Sequence, residues 1–97
     1  MAEPGDAIAG RPLLEYVTSP GCGDCRSFER VLARVAPDFP SVDVRAVEAA
    51  SARGIALSLG RGILKFPVIV LDGEVVAIES IAEPDLRGAL LAAAASR

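Results

Sequence analysis

Residues 13–25 read LLEYVTSPGCGDC, and the fold turns on how that stretch changes character. Leu13 to Thr18 is a short apolar run of strand-favouring side chains, stopped by the turn residues Ser19, Pro20 and Gly21. From Asp24 to Ala36 the period changes: Phe28, Val31, Leu32 and Val35 fall at i, i+3, i+4 and i+7, one face of a helix that Pro37 ends. A strand therefore runs through a tight turn into a helix. The chain's two cysteines, Cys22 and Cys25, stand at that junction.

Downstream, Val42, Val44 and Ala46 alternate with Asp43 and Arg45, the pattern of a second strand. Ser51 can cap a second helix, expected to bury Ala52, Ile55, Ala56 and Leu59 and to close at Gly60 and Gly62. Pro67 opens an apolar strand to Leu71, Asp72 and Gly73 signal a hairpin, and Glu74 to Ile78 returns. Pro84 to Ala95 forms the last helix, with Leu86, Ala89, Leu90 and Ala93 on one face. The order is β-α-β-α-β-β-α. A helix between the first two strands asks for a parallel, right-handed crossover, and the hairpin makes the last two antiparallel. The expectation is an α/β fold: a mixed four-stranded sheet with helices on both faces.

Ninety-seven residues make one domain, and 52% hydrophobic with 24% charged residues is globular composition. A net charge of −3 provides no electrostatic footprint for nucleic acid and no polybasic membrane patch. The longest apolar stretch, Ala89 to Ala95, is far short of the roughly 20 residues of a bilayer crossing. Residues 1–10 carry Glu3 and Asp6 and no basic run, so they read as a flexible tail before a domain over 11–97, without a secretory signal. The expected location is the cytoplasm. Histidine is absent, which removes His-based triads and Cys–His pairs.

Chemistry therefore rests on Cys22-Gly23-Asp24-Cys25. A helix N-terminus presents unpaired N–H groups and a partial positive charge, which stabilise a thiolate, the nucleophile of sulfur chemistry. Residues three apart lie on one helix face with Cβ atoms about 5–6 Å apart, so a small closure joins the sulfurs. Gly23 has no side chain to obstruct the turn. Three plainer readings stand beside redox use: a structural disulfide, a zinc site shared with a second subunit, and two inert core cysteines. So short a loop stabilises little, zinc needs four ligands, and the glycines and Asp24 describe an exposed turn. Redox use is the reading they leave. Arg26, Arg30 and Arg34, at i, i+4 and i+8, form a solvated stripe or a docking face for an acidic partner.

The segment from Glu15 to Cys25 resembles the active-site entry of the thioredoxin/glutaredoxin superfamily, its Tyr-x-x-x-Pro-Gly-Cys part being closer to glutaredoxin-like members. Gly62 to Pro67, followed by Val68–Leu71 and Asp72-Gly73-Glu74, resembles the stretch that holds the thioredoxin cis-proline. The resemblance implies a thioredoxin-like fold and a thiol–disulfide oxidoreductase acting on protein disulfides. Cys22 would be the attacking cysteine and Cys25 the resolving one. Pro67 would be the cis-proline, with Phe66 offering backbone groups to a bound substrate and Gly23 and Asp24 bordering it. No bound cofactor and no metal are implied, only an external thiol reductant or reductase, and the protein would act as a monomer. The alternatives are a non-catalytic protein-binding module, a paired-thiolate metal carrier and a glutathione-dependent glutaredoxin. The chain departs from the pattern at several positions. Asp24 stands for the usual proline and Gly21 for tryptophan. Tyr16 stands where thioredoxins bury an acid, with Glu15 one step off and facing the other way by strand alternation. Ser19 replaces a basic residue, and Glu79 to Asp85 replaces a Gly-Gly-x-Asp-like stretch.

Overall fold

In the computed structural model, which describes residues 10–96, strand β1 (Leu13–Thr18) lies inside the sheet. Five of its six residues are buried because both faces are covered, which explains a run that is nearly continuous in hydrophobicity. Helix α1 (Gly23–Val35) follows and buries Cys25, Phe28, Leu32 and Val35, with Val31 packed at the edge of the same core. Pro37 ends it in a single 3₁₀ turn over Ala36–Asp38. Strand β2 (Asp43–Glu48) pairs parallel with the whole of β1, from Leu13 opposite Asp43 to Thr18 opposite Glu48. It runs two residues beyond the alternating stretch because the ladder follows β1.

Helix α2 (Ala52–Leu57) is capped by Ser51, whose hydroxyl accepts the Gly54 N–H at 3.0 Å. Its burial differs from expectation. Ala52, Ile55, Ala56 and Leu59 are all exposed, and Gly54, Leu57 and Ser58 face the sheet. The cause is steric: a Cβ at Gly54 would run into the Glu48 carbonyl, so the helix lies backbone-first against the end of β2. Only a glycine turned inward permits that approach.

Strands β3 (Val68–Leu71) and β4 (Glu74–Ile78) pair antiparallel, and β3 pairs antiparallel with β1, giving the sheet order β2-β1-β3-β4. Their hairpin has positive φ at both central residues, 50° at Asp72 and 86° at Gly73, which suits an Asp-Gly pair. Asp72 Oδ1 also accepts the Leu13 N–H at 2.9 Å, pinning the hairpin to the start of β1. Helix α3 (Glu83–Ala95) starts with Pro84 in its first turn and buries Leu86 and Leu90. One core joins α1 and α3 to Leu14, Tyr16, Ile69 and Leu71; the other joins the α2 segment to Val17, Val47, Val68 and Val70. Arg34 and Arg87 both reach Glu83, at 3.0 and 3.1 Å, and Arg87 also reaches Asp38 at 2.8 Å, locking the end of α1 to the start of α3. The expected tail over 1–10 falls, Gly10 apart, outside the described residues.

Candidate active site

Cys22 is the N-cap of α1, with extended backbone angles, and Gly21 before it takes φ 73°, the left-handed turn that brings the chain off β1. Cys22 and Cys25 are joined by a disulfide. Cys22 Sγ accepts the Cys25 N–H at 3.0 Å, so one of the helix's free donors is spent on the sulfur. The two cysteines differ in access: Cys25 is completely buried and Cys22 is half-buried. Gly23 has open space where a Cβ would stand, and Asp24 is exposed in the first turn.

Across from the cysteines, Phe66–Pro67 is a cis peptide, and the Phe66 carbonyl oxygen lies 3.7 Å from Cys22 Sγ. The expected site residues Cys22, Gly23, Asp24, Cys25, Phe66 and Pro67 thus converge from two distant parts of the chain. Pro67 is buried, and its carbonyl accepts the Glu79 N–H at 2.9 Å, which ties the end of β4 to the same loop.

Below the site, neighbouring residues of β1 diverge. Tyr16 faces α1, stacks edge-on against Phe28 at 5.2 Å and donates its hydroxyl to Glu29 Oε2 at 2.8 Å. Burial, and then the hydrogen bond to Glu29, push the Tyr16 phenol up to about 12. The same hydrogen bond, helped by Arg26, holds the Glu29 carboxyl below the usual range. Glu15 leaves on the opposite face, where Arg53 grips it at 2.9 and 2.8 Å. It does not reach the resolving cysteine's side of the sheet. Arg26 is shared between Glu29 at 2.7 Å and Thr18 Oγ1 at 3.2 Å, Arg30 donates to Ser27, and Arg34 reaches Glu83. The arginine stripe is therefore engaged with its own surface.

The glutaredoxin family model matches residues 14–76, from β1 into β4, including both cysteines and Pro67. The chain belongs to the glutaredoxin family. No curated protein sequence matches it. Solved structures share its fold at low identity. Thioredoxin 2 from Pseudomonas aeruginosa is 23% identical with a TM-score of 0.67, covering 91% of this chain and 86% of that one. A thioredoxin-like protein from Clostridium perfringens is 15% identical with a TM-score of 0.70, covering 91% and 75%. Fasciola hepatica thioredoxin is 21% identical with a TM-score of 0.64, covering 86% and 81%. A glutaredoxin-family fold with a Cys-x-x-Cys pair supports a thiol–disulfide oxidoreductase in general.

Two features beside the cysteines were not legible as site features from pattern alone. An apolar depression runs along Ile63, Leu64 and Ile78, with Lys65 at its edge. Glu79 follows β4 with φ 74°, a left-handed conformation unusual for a residue with a side chain.

Proposed function

We propose that the protein reduces or exchanges disulfides of protein substrates through a Cys22/Cys25 dithiol–disulfide cycle. The observation that carries this is the asymmetry of the pair: a half-buried Cys22 sulfur at a helix N-cap, facing the Phe66 carbonyl, joined to a fully buried Cys25. The Cys22 thiolate attacks a substrate disulfide, forming a mixed disulfide and expelling one substrate thiolate, which takes up a proton. Cys25, on losing its proton, attacks Cys22 Sγ and expels the second substrate thiol. Two electrons pass to the substrate, and the protein is left with the Cys22–Cys25 bridge. An external thiol reductant then resets it, within the cytoplasm and without a second subunit. Family membership favours glutathione as that reductant. Ser19 and the Glu79–Asp85 segment favour a dithiol or a reductase.

The test is turnover of insulin disulfides with dithiothreitol, repeated with glutathione and its reductase. Wild-type protein should accelerate reduction, Cys22→Ser should abolish it, and Cys25→Ser should accumulate mixed disulfides. Alkylation of the reduced protein should label Cys22 before Cys25. A reduced wild-type protein that accelerates neither assay would leave a binding module as the reading.

A further inference from the structure

Resting on that reading, we infer that Glu79 is a specificity-determining residue that selects disulfides flanked by lysine or arginine and disfavours anionic ones such as glutathione disulfide. Three observations converge on it. The first is position. The Glu79 N–H is bonded to the Pro67 carbonyl at 2.9 Å, and the adjoining Phe66 carbonyl is 3.7 Å from Cys22 Sγ. The Glu79 backbone is thus bonded to the same Phe66–Pro67 unit whose other carbonyl faces the reacting sulfur.

The second is the depression that Glu79 shares with Asp24. Phe28, Val31 and Ile81 give it an apolar lining, and two acidic residues border it, Asp24 from the cysteine turn and Glu79 from the end of β4. The depression has a volume of about 80 Å³. An apolar lining bordered by two acidic residues matches the amphipathic character of lysine and arginine, an aliphatic stem with a cationic head.

The third is that the Glu79 charge is weakly neutralised. Its ion-pair partner is Lys65, at 3.9 Å, and both side chains are largely in solvent. Arg30 stands at the margin through its bond to Ser27, which also borders the depression. Lys65 is therefore the internal competitor of a substrate cation. Removing Lys65 and removing the Glu79 charge must change selectivity in opposite directions, which a structural role for Glu79 would not produce.

The experiment uses two disulfide-bonded synthetic peptides that differ only in lysine or glutamate beside the cysteine, with dithiothreitol as reductant. The readout is the ratio of their kcat/KM values. Wild-type protein should favour the lysine peptide by about two- to fivefold, the range of an exposed ion pair. Raising the ionic strength should shrink that ratio. Glu79→Gln should bring it toward one, Glu79→Lys should invert it, and Lys65→Gln should raise it. Glu74→Gln, an equal change of net charge at the far end of β4, should leave it unaltered. Equal turnover of both peptides by wild type, or ratios that ignore residue 79, would overturn the inference and leave the oxidoreductase reading standing. Turnover of neither peptide would overturn both.

Discussion

Glu15 and Tyr16 are adjacent in β1, yet they anchor opposite layers of the protein: Glu15 holds Arg53 of α2 at 2.8 Å, and Tyr16 holds Glu29 of α1 at 2.8 Å. Alternation along a strand requires this divergence. The consequence for the site is chemical. Where the resemblance expects a carboxylate on the side of the resolving cysteine, the chain supplies a phenol already committed as a donor to Glu29.

Tyr16 is the single tyrosine, and the chain has no tryptophan, so its ionisation can be followed directly by phenolate absorbance. The native midpoint should lie near 12 and return to about 10 on denaturation. A raised folded value means that the protonated phenol stabilises the fold. That contribution is complete below pH about 10 and is lost as pH rises through about 12. Tyr16→Phe should cost about 1–2 kcal/mol at neutral pH, the value of a hydrogen bond to a carboxylate that is partly in solvent. The gap between wild type and variant should close over that alkaline window. A native midpoint near 10 would mean that the Tyr16–Glu29 bond is not held in solution.

Glu15 is buried, while half of the Arg53 side chain is in solvent. Arg53→Met leaves the carboxylate without its guanidinium and should cost about 2–3 kcal/mol, toward the low side of broken buried pairs because water reaches the arginine. Replacing both, Glu15→Val with Arg53→Met, should recover most of that loss, since an apolar pair of similar volume needs no compensation. Urea unfolding of wild type, Arg53→Met, Glu15→Val and the double variant measures the cycle. A double variant as unstable as the single one would show that Glu15 serves more than α2 docking.

Much of this was written in local pattern. The strand limits of β1 and β4, the Asp72–Gly73 hairpin and the buried face of α3 follow from alternation, turn chemistry and helical period, each set by a few neighbouring residues. The face of α2 did not follow, because the inward residue is Gly54, whose reason to face inward is an approach to Glu48 that no hydropathy pattern encodes. The meeting of Cys22 with Phe66 was accessible only through resemblance, since 44 residues separate them. The conformation of Glu79 was legible from neither. A positive φ on a glutamate contradicts its own local preference, and it occurs where the Glu79 N–H bonds the Pro67 carbonyl.

That contradiction has a measurable cost. A side chain in the left-handed region is disfavoured by roughly 1–2 kcal/mol, part of which glycine returns as chain entropy on unfolding. Glu79→Gly should therefore stabilise the protein by about 0.5–1 kcal/mol. Glu79→Gln, which keeps the strain, should not. Thermal and urea unfolding of the three proteins decide it. A Gly variant no more stable than wild type would mean that the left-handed conformation is not populated at position 79.

Asp24 sets the remaining electrostatic question at the cysteines. It lies in the first turn of α1, between Cys22 and Cys25, and competes with the Cys22 thiolate for the same positive helix end. Arg26, the nearest cation along the chain, is bonded to Glu29 and Thr18 and so is tethered elsewhere. A like charge disfavours ionisation, so Asp24 should raise the Cys22 thiol relative to a neutral residue. An exposed charge at a helix N-terminus is worth roughly 0.3–1 kcal/mol, so the change should stay below about one pKa unit. Asp24→Asn keeps the size and removes the charge. It should lower the Cys22 pKa, stabilise the reduced form and make the reduction potential less negative by less than about 30 mV. Thiolate absorbance titration and glutathione redox equilibria of both proteins measure the two quantities together. If the asparagine variant has an unchanged or higher Cys22 pKa, the Asp24 carboxylate is turned to solvent and the pair is tuned by the helix alone.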